Sequence, residues 1–207
     1  MKRLLIIGAS GHGRVIADIA EKNGYEEIIF FDDDPSKKKC GAYPVAGPAE
    51  RIQEFDGDLF IAIGNAGARE KLTDANAERN TVTLIHPAAV IAGDVEIGCG
   101  SAVMAGAVIN PGAKIGRGCI INTCASVDHD CSLGDFVHIA VGAHVAGTVS
   151  IGKRTWIGAG ATVSNDVTIC KNCMIGAGAV VVNDLTESGT YVGLPAHLKS
   201  RKENNIL

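Results

Sequence analysis

One histidine of the six in this 207-residue chain has neighbours that suit it for proton transfer. His129 lies in Val127-Asp128-His129-Asp130-Cys131, with a carboxylate on each side. Carboxylates on both sides can orient the ring and raise its basicity, so His129 is a candidate general base, with an exposed corner histidine as the alternative. A second segment suits anion binding. Gly8-Ala9-Ser10-Gly11-His12-Gly13 follows the apolar run Leu4–Ile7 and precedes a helical pattern. The segment would then cradle a phosphate at a helix N-terminus. Ser10 replaces the middle glycine of G-x-G-x-x-G, so the dinucleotide fingerprint is incomplete. Asp32 closes the next apolar run, where a ribose-binding acid would lie. These residues leave three readings open: an NAD site, a mononucleotide site that better fits the small first half, or a tight turn with no ligand.

The elements that must position these groups divide the chain in two. Residues 1–84 hold 25 charged residues, whereas residues 91–184 hold 12 charged residues and 15 glycines. The boundary falls near His86-Pro87, giving domains of 1–85 and 86–207. The first alternates strands and helices: strands at Leu4–Ile7, Ile28–Phe31, Leu59–Ile63 and Val82–Ile85, and helices over Arg14–Lys22 and Ala68–Arg79. Val15, Ile16, Ile19 and Ala20 mark the inward face of the first helix. Such alternation predicts a small parallel sheet, a Rossmann-like α/β domain.

The second half repeats with period six. From Ile91 to Val181 every sixth residue is aliphatic, sixteen in succession without a slip. Two positions earlier stands a small residue or Val, as at Ala107, Cys119, Cys131 and Cys173. This is the signature of a solenoid in which three hexads, 18 residues, close a triangular coil and the aliphatic residue points inward. The period predicts just over five coils. It also predicts that Gly147 stacks beside His129, leaving space and a free amide for a reacting group. His144 should face outward. Cys173 has a core position, so Cys170-Lys171-Asn172-Cys173 is read as packing rather than as a metal or redox motif.

The hexads resemble the left-handed parallel β-helix of hexapeptide-repeat acyltransferases. The whole chain resembles the nucleotide-aminosugar N-acetyltransferases of the bacillosamine and perosamine type, within the sialic-acid O-acetyltransferase-like branch. The resemblance rests on the glycine loop, Phe31-Asp32-Asp33, Phe60-Ile61-Ala62-Ile63-Gly64-Asn65 with Arg69 behind it, Ile121-Asn122-Thr123, Val127–Cys131, and Val192-Gly193-Leu194-Pro195-Ala196. It implies His129 as base with Asp130 raising its basicity. It also implies a sugar nucleotide held by Ser10, Gly11, His12, Asp32, Asp33 and Gly64. Acetyl-CoA would be contacted by His138, Gly147, Ala159 and Ala177. The implied assembly is a homotrimer with sites between subunits. The implied reaction is direct attack of a 4-amino group of a UDP- or GDP-linked sugar on the thioester, with no metal. A sialic-acid-type O-acetyltransferase is the alternative. A γ-class carbonic-anhydrase-like zinc enzyme is a remote one, because the spacing of His129, His138 and His144 does not resemble that family's.

Charge and composition set the remaining expectations. A net charge of −4, from 19 basic and 23 acidic residues, argues against a nucleic-acid surface. No apolar run is long enough for a membrane span. Seven cysteines form no spaced framework, so a reduced, cytoplasmic protein is expected.

Overall fold

The computed structural model describes residues 1–199. The first domain has a parallel sheet of β1 (Arg3–Ile7), β2 (Glu27–Phe31) and, after a hairpin of β3 (Lys39–Cys40) and β4 (Tyr43–Pro44), β5 (Asp58–Ile61). Strand order is β2-β1-β5, with Ile7 level with Phe31 and Ile61. Leu4, Leu5, Ile6, Phe30 and Leu59 are fully buried, because helices and loops cover both faces of the sheet.

Helix α1 spans Gly11–Lys22, so its first turn takes in the end of the glycine segment. Its inward residues are Gly13, Ile16, Ala17, Ile19 and Ala20, whereas Val15 faces solvent. The helical spacing was legible, but the buried face is turned one position from the expected one. Two glycines set this corner. Gly8 has φ +111°, and a Cβ there would lie 2.6 Å from the Ala62 carbonyl. A Cβ on Gly13 would collide with the Gly8 carbonyl and lie 2.9 Å from the Phe30 ring. Helix α2 spans Ala66–Ala75, shorter than the expected Ala68–Arg79, and Asn65 caps it by accepting the Ala68 amide at 2.9 Å.

The expected fourth strand of the first domain belongs elsewhere. Leu84–Ile85 (β6) pairs with Ala102–Val103 and opens the solenoid. Ile85 stands six residues before Ile91, in phase with the repeat. Only an isolated bridge, Leu59 to Thr81, extends the first sheet on that side.

The solenoid is a left-handed parallel β-helix of about six coils. Each coil contributes two-residue strands to three sheets, in register at 18-residue intervals: Val108 with Ser126, Lys114 with Ser132, Ile120 with His138. The inward aliphatics from Val103 to Val181 are buried, as are the small residues two positions before them. Ile91 and Ile97, near the open end, are only partly buried. One sheet presents its outer face to the first domain. On this docking face Leu84, Ala102, Met104 and Ile120 join Ile16, Ile19 and Phe30 in one apolar cluster, so a continuous core crosses the domain seam. The chain then runs to a second face (Val90–Ile91, Val108–Ile109, Ser126–Val127 and onward) and a third (Glu96–Ile97, Lys114–Ile115, Ser132–Leu133 and onward).

Candidate active site

His129 stands at the corner between the second and third faces, on the turn after Ser126–Val127. The turn requires a positive φ at Asp130, +57°, and this conformation brings the Asp130 carboxylate back onto the ring. Nδ1–H of His129 donates to Asp130 Oδ2 at 2.9 Å, leaving Nε2 with a free lone pair. Asp128 fixes the backbone: its Oδ1 accepts from the His129 amide at 2.8 Å and from Asn110 Nδ2 at 2.6 Å. The Asp130 hydrogen bond, helped by the charges of Asp128, Asp130 and Asp166, raises the His129 pKa above its ordinary value. The ring is exposed. Gly147 stacks one coil above, and a Cβ there would lie 2.5 Å from Nε2. A glycine is therefore required if the imidazole is to keep this position.

The other histidines are placed differently. His144 lies exposed on the second face, with Nδ1 2.9 Å from Ser126 Oγ. His138 lies on the docking face, buried against the first domain, and stacks on Trp156 one coil above (centroids 4.9 Å apart, rings 22° from parallel). Asn122 accepts the Thr123 amide at Oδ1 and presents Nδ2 to His138 Nε2 at 3.1 Å. His138 therefore carries its proton on Nδ1, which is buried without a partner. His12, in the first turn of α1, also has a buried nitrogen without a partner, Nε2. Burial, reinforced by the charge of Arg69, lowers His12 to about 4. Burial, Arg69 and His12 lower His138 to about 3. Both rings are neutral at physiological pH. His129, His138 and His144 project from separate parts of the coil rather than converging.

The glycine segment forms a tight turn into α1. Ser10 takes the N-cap position of α1 without capping it through its side chain, and Ser10 and Gly11 are exposed. No acidic residue occupies the first turn, so the positive end of the helix faces open space. Asp32 is engaged locally. Its Oδ2 accepts the Ala9 amide at 2.8 Å and Lys37 Nζ at 2.9 Å, which braces the glycine loop. These hydrogen bonds outweigh burial and hold its pKa below the usual carboxylate value. Asp33 accepts the Ala49 amide at 3.0 Å. Both acids border a small cavity of about 140 Å³ at the carboxyl ends of β1 and β2, with Gly8 and Ile63. This is where ligands bind in open α/β sheets. Beside it, a cleft of about 460 Å³ opens along the domain seam, lined by Gly64, Asn65, His138, Arg154, Trp156 and Met174.

Ala159 and Ala177 stack 18 residues apart at the corner between the docking and second faces, both exposed. The proposed acetyl-CoA residues therefore fall into separate groups within one chain. Gly147 accompanies His129 at one corner, Ala159 and Ala177 occupy another, and His138 lines the seam.

Sequence reasoning did not find Trp156, Arg154 or the full role of Arg69. Trp156 was reachable, since it is His138 plus one 18-residue coil. The Arg154 side chain meets Glu70 across the seam, and two of the four carbonyls that Arg69 reaches, those of Gly118 and Phe136, also lie across it. Cys119, Cys131 and Cys173 are buried as expected. Cys170 and Cys173 are free thiols with sulfurs 3.4 Å apart. Among the described residues no group of three or more His, Cys, Asp or Glu is placed to hold a metal, and no helix is long and apolar enough to cross a membrane.

Comparison with known proteins adds to this geometry. Residues 3–75 match the PglD N-terminal domain, and residues 94–129 and 148–183 match the bacterial transferase hexapeptide repeats. The UDP-N-acetylbacillosamine N-acetyltransferase of Bacillus subtilis is 33% identical over 113 residues, 51% of this chain and 52% of that protein. The match thus spans about half the length of that curated relative. The acetyltransferase domain of PglB from Neisseria gonorrhoeae, also solved in complex with acetyl coenzyme A, is 38% identical. That alignment covers 96% of this chain and 99–100% of the solved chains, with a TM-score of 0.92. PerB from Caulobacter crescentus, solved in complex with CoA and GDP-perosamine, is 39% identical with a TM-score of 0.91, covering 97% of this chain and 98% of that one.

Proposed function

The chain belongs to the hexapeptide-repeat N-acetyltransferases that carry a PglD N-terminal domain, and we propose that it transfers an acetyl group from acetyl-CoA to the amine of a nucleotide-linked 4-amino sugar. The observation that carries this reading is the free Nε2 of His129, with Nδ1–H committed to Asp130 and only a glycine above it.

His129 and Asp130 are the catalytic pair. As the sugar nitrogen attacks the thioester carbonyl, Nε2 takes a proton from it, and the Asp130 carboxylate stabilises the imidazolium that forms. The Gly147 amide, beside Nε2, is the candidate donor to the oxyanion. Collapse of the tetrahedral intermediate breaks the carbon–sulfur bond, and the imidazolium returns its proton to the CoA sulfur. The step needs no acyl-enzyme and no metal.

The first domain, expected over residues 1–85 and ending before Leu84 in the structure, holds the sugar nucleotide. The α1 N-terminus at Ser10, Gly11 and His12 faces the diphosphate, Asp32 and Asp33 border the nucleoside, and Gly64 leads into the seam cleft, which receives the sugar. The solenoid domain, expected over residues 86–207 and opening at Leu84, supplies the acetyl-CoA contacts at His138, Gly147, Ala159 and Ala177; residues 200–207 lie outside the described residues. In one chain the seam cleft and His129 belong to different corners of the prism. The complete site therefore joins the seam side of one copy to the His129 corner of the next, in a homotrimer. The seven free cysteines fit a reducing cytoplasm.

The test is thiol release from acetyl-CoA with UDP- and GDP-linked 4-amino sugars, beside the corresponding 4-hydroxy sugars. Turnover confined to an amino sugar supports the reading. Turnover with the hydroxyl sugars alone would replace it with O-acetylation.

A further inference from the structure

Arg69 is the largest fully buried side chain among the described residues, 1% exposed, and no carboxylate there pairs with it. Its donors go to four carbonyls instead. Nη1 donates to Ile63 O at 2.7 Å and Gly64 O at 2.9 Å, on the loop between β5 and α2. Nε donates to Gly118 O at 2.8 Å and Nη2 to Phe136 O at 3.0 Å, on successive solenoid coils. The planar guanidinium is thus a rigid spacer with one edge on each domain. The groups it holds are the two walls of the seam cleft. Gly64 is on one wall, and Phe136 precedes His138 on the other by two residues.

Other contacts across the seam lack this placement. Glu70 pairs with Lys153 and with Arg154, which lines the same cleft, and Arg117 pairs with Asp74 at 2.8 Å; these are side-chain pairs, and none holds a backbone carbonyl of both walls. Leu84 and Ala102 add apolar burial near the open end of the solenoid. A buried cation without a counter-ion is a costly way to join two domains, since apolar packing would do so more cheaply. Its specific product here is a fixed separation between two backbone segments.

We propose that Arg69 is the positioning residue of the sugar-nucleotide site, its guanidinium setting the distance between the Gly64 loop and the His138 strand. This rests on the function proposed above. Arg69 touches no substrate and acts through the backbone it holds. Lysine cannot replace it, because a single ammonium on a flexible stem cannot span four carbonyls on two walls.

The experiment compares Arg69→Lys, Arg69→Met and, as a control for weakened domain docking, Leu84→Ala, which removes apolar burial at the seam some three coils from His138. Michaelis constants for the amino-sugar nucleotide and for acetyl-CoA are measured with thermal unfolding. Both Arg69 variants should raise the sugar-nucleotide KM by about tenfold or more and the acetyl-CoA KM by less, since of the acetyl-CoA contacts only His138 lies on the wall that Arg69 holds. Leu84→Ala should lower the unfolding temperature without moving either constant. If Arg69→Met does not fold, Arg69→Lys decides. An unchanged sugar-nucleotide KM in a folded Arg69 variant overturns the proposal. So does an equal rise in Leu84→Ala, or failure of both Arg69 variants to fold, which would make the role structural only. A wild-type enzyme inactive on every nucleotide amino sugar would instead defeat the proposed function.

Discussion

The role proposed for His129 rests on a division of labour between its two nitrogens. Asp130 holds Nδ1–H and raises the ring's pKa, so Nε2 is a stronger base but is protonated at a higher pH. Replacing His129 with Ala should lower turnover about 10²–10⁴-fold in a thiol-release assay, with sugar-nucleotide affinity unchanged. Asp130→Asn removes the group that raises the pKa. Because neutral imidazole is the active form, the acid limb of the pH–rate profile should move to lower pH while the plateau rate falls. An unmoved limb would take Asp130 out of the mechanism. His12 and His138 make a separate prediction. Their folded pKa values, about 4 and about 3, lie below the unfolded value of 6.5. Between these values the unfolded chain binds protons that the folded chain does not, so stability falls as pH drops below 6.5. The loss approaches about 1.4 kcal/mol per pH unit for each ring. Thermal unfolding from pH 7.5 to 4.5 should show this slope, and His12→Asn should flatten it.

Two elements are set by close approach of backbone. The solenoid corner that carries His129 leaves no room for a side chain at Gly147. Gly147→Ala should push the ring out of line and cut turnover on the order of 10²-fold, the cost of a misplaced catalytic group. The coil should survive, since a single added methyl at the corner leaves the inward stack intact, and circular dichroism would check this. Helix α1 meets the glycine loop equally closely. Gly13→Ala would drive its methyl into the Gly8 carbonyl, so α1 must shift. A loss of about 1–3 kcal/mol in unfolding free energy is expected, together with weaker sugar-nucleotide binding by calorimetry. The helix was legible in its 3.6-residue spacing. Its buried face was legible at Ile16, Ile19 and Ala20 but not at Val15, which is left outside while Gly13 and Ala17 turn inward between the three-stranded sheet and the solenoid face.

For the whole molecule, the separation of His129 from His138 within one chain carries the prediction of shared sites. Light scattering should give three times the 21.4 kDa chain mass. Mixed trimers of His129→Ala and His138→Ala chains should recover part of the activity, because some sites will pair an intact His129 corner with an intact His138 face. No recovery would mean that each site is built within a single chain.

The repeat from Ile91 to Val181 determined the solenoid by itself. A strict six-residue period leaves the chain one way to bury its aliphatics, and 18-residue arithmetic then brought Gly147 to His129. The glycine turn and the His129–Asp130 contact were also legible, because each depends on residues adjacent in the chain, whereas α1 begins at Gly11, three residues before the expected Arg14. The tertiary structure decided what crosses the seam. It moved Leu84–Ile85 from the first sheet into the solenoid, buried His138 beside a neutral His12, and engaged Asp32 in bracing its own loop. It also placed Arg69 among four carbonyls, two of them 49 and 67 residues away. Local periodicity sets which face of an element is apolar. Which partner covers that face depends on the docking of two domains, and a single chain's residue order does not encode that contact as a pattern.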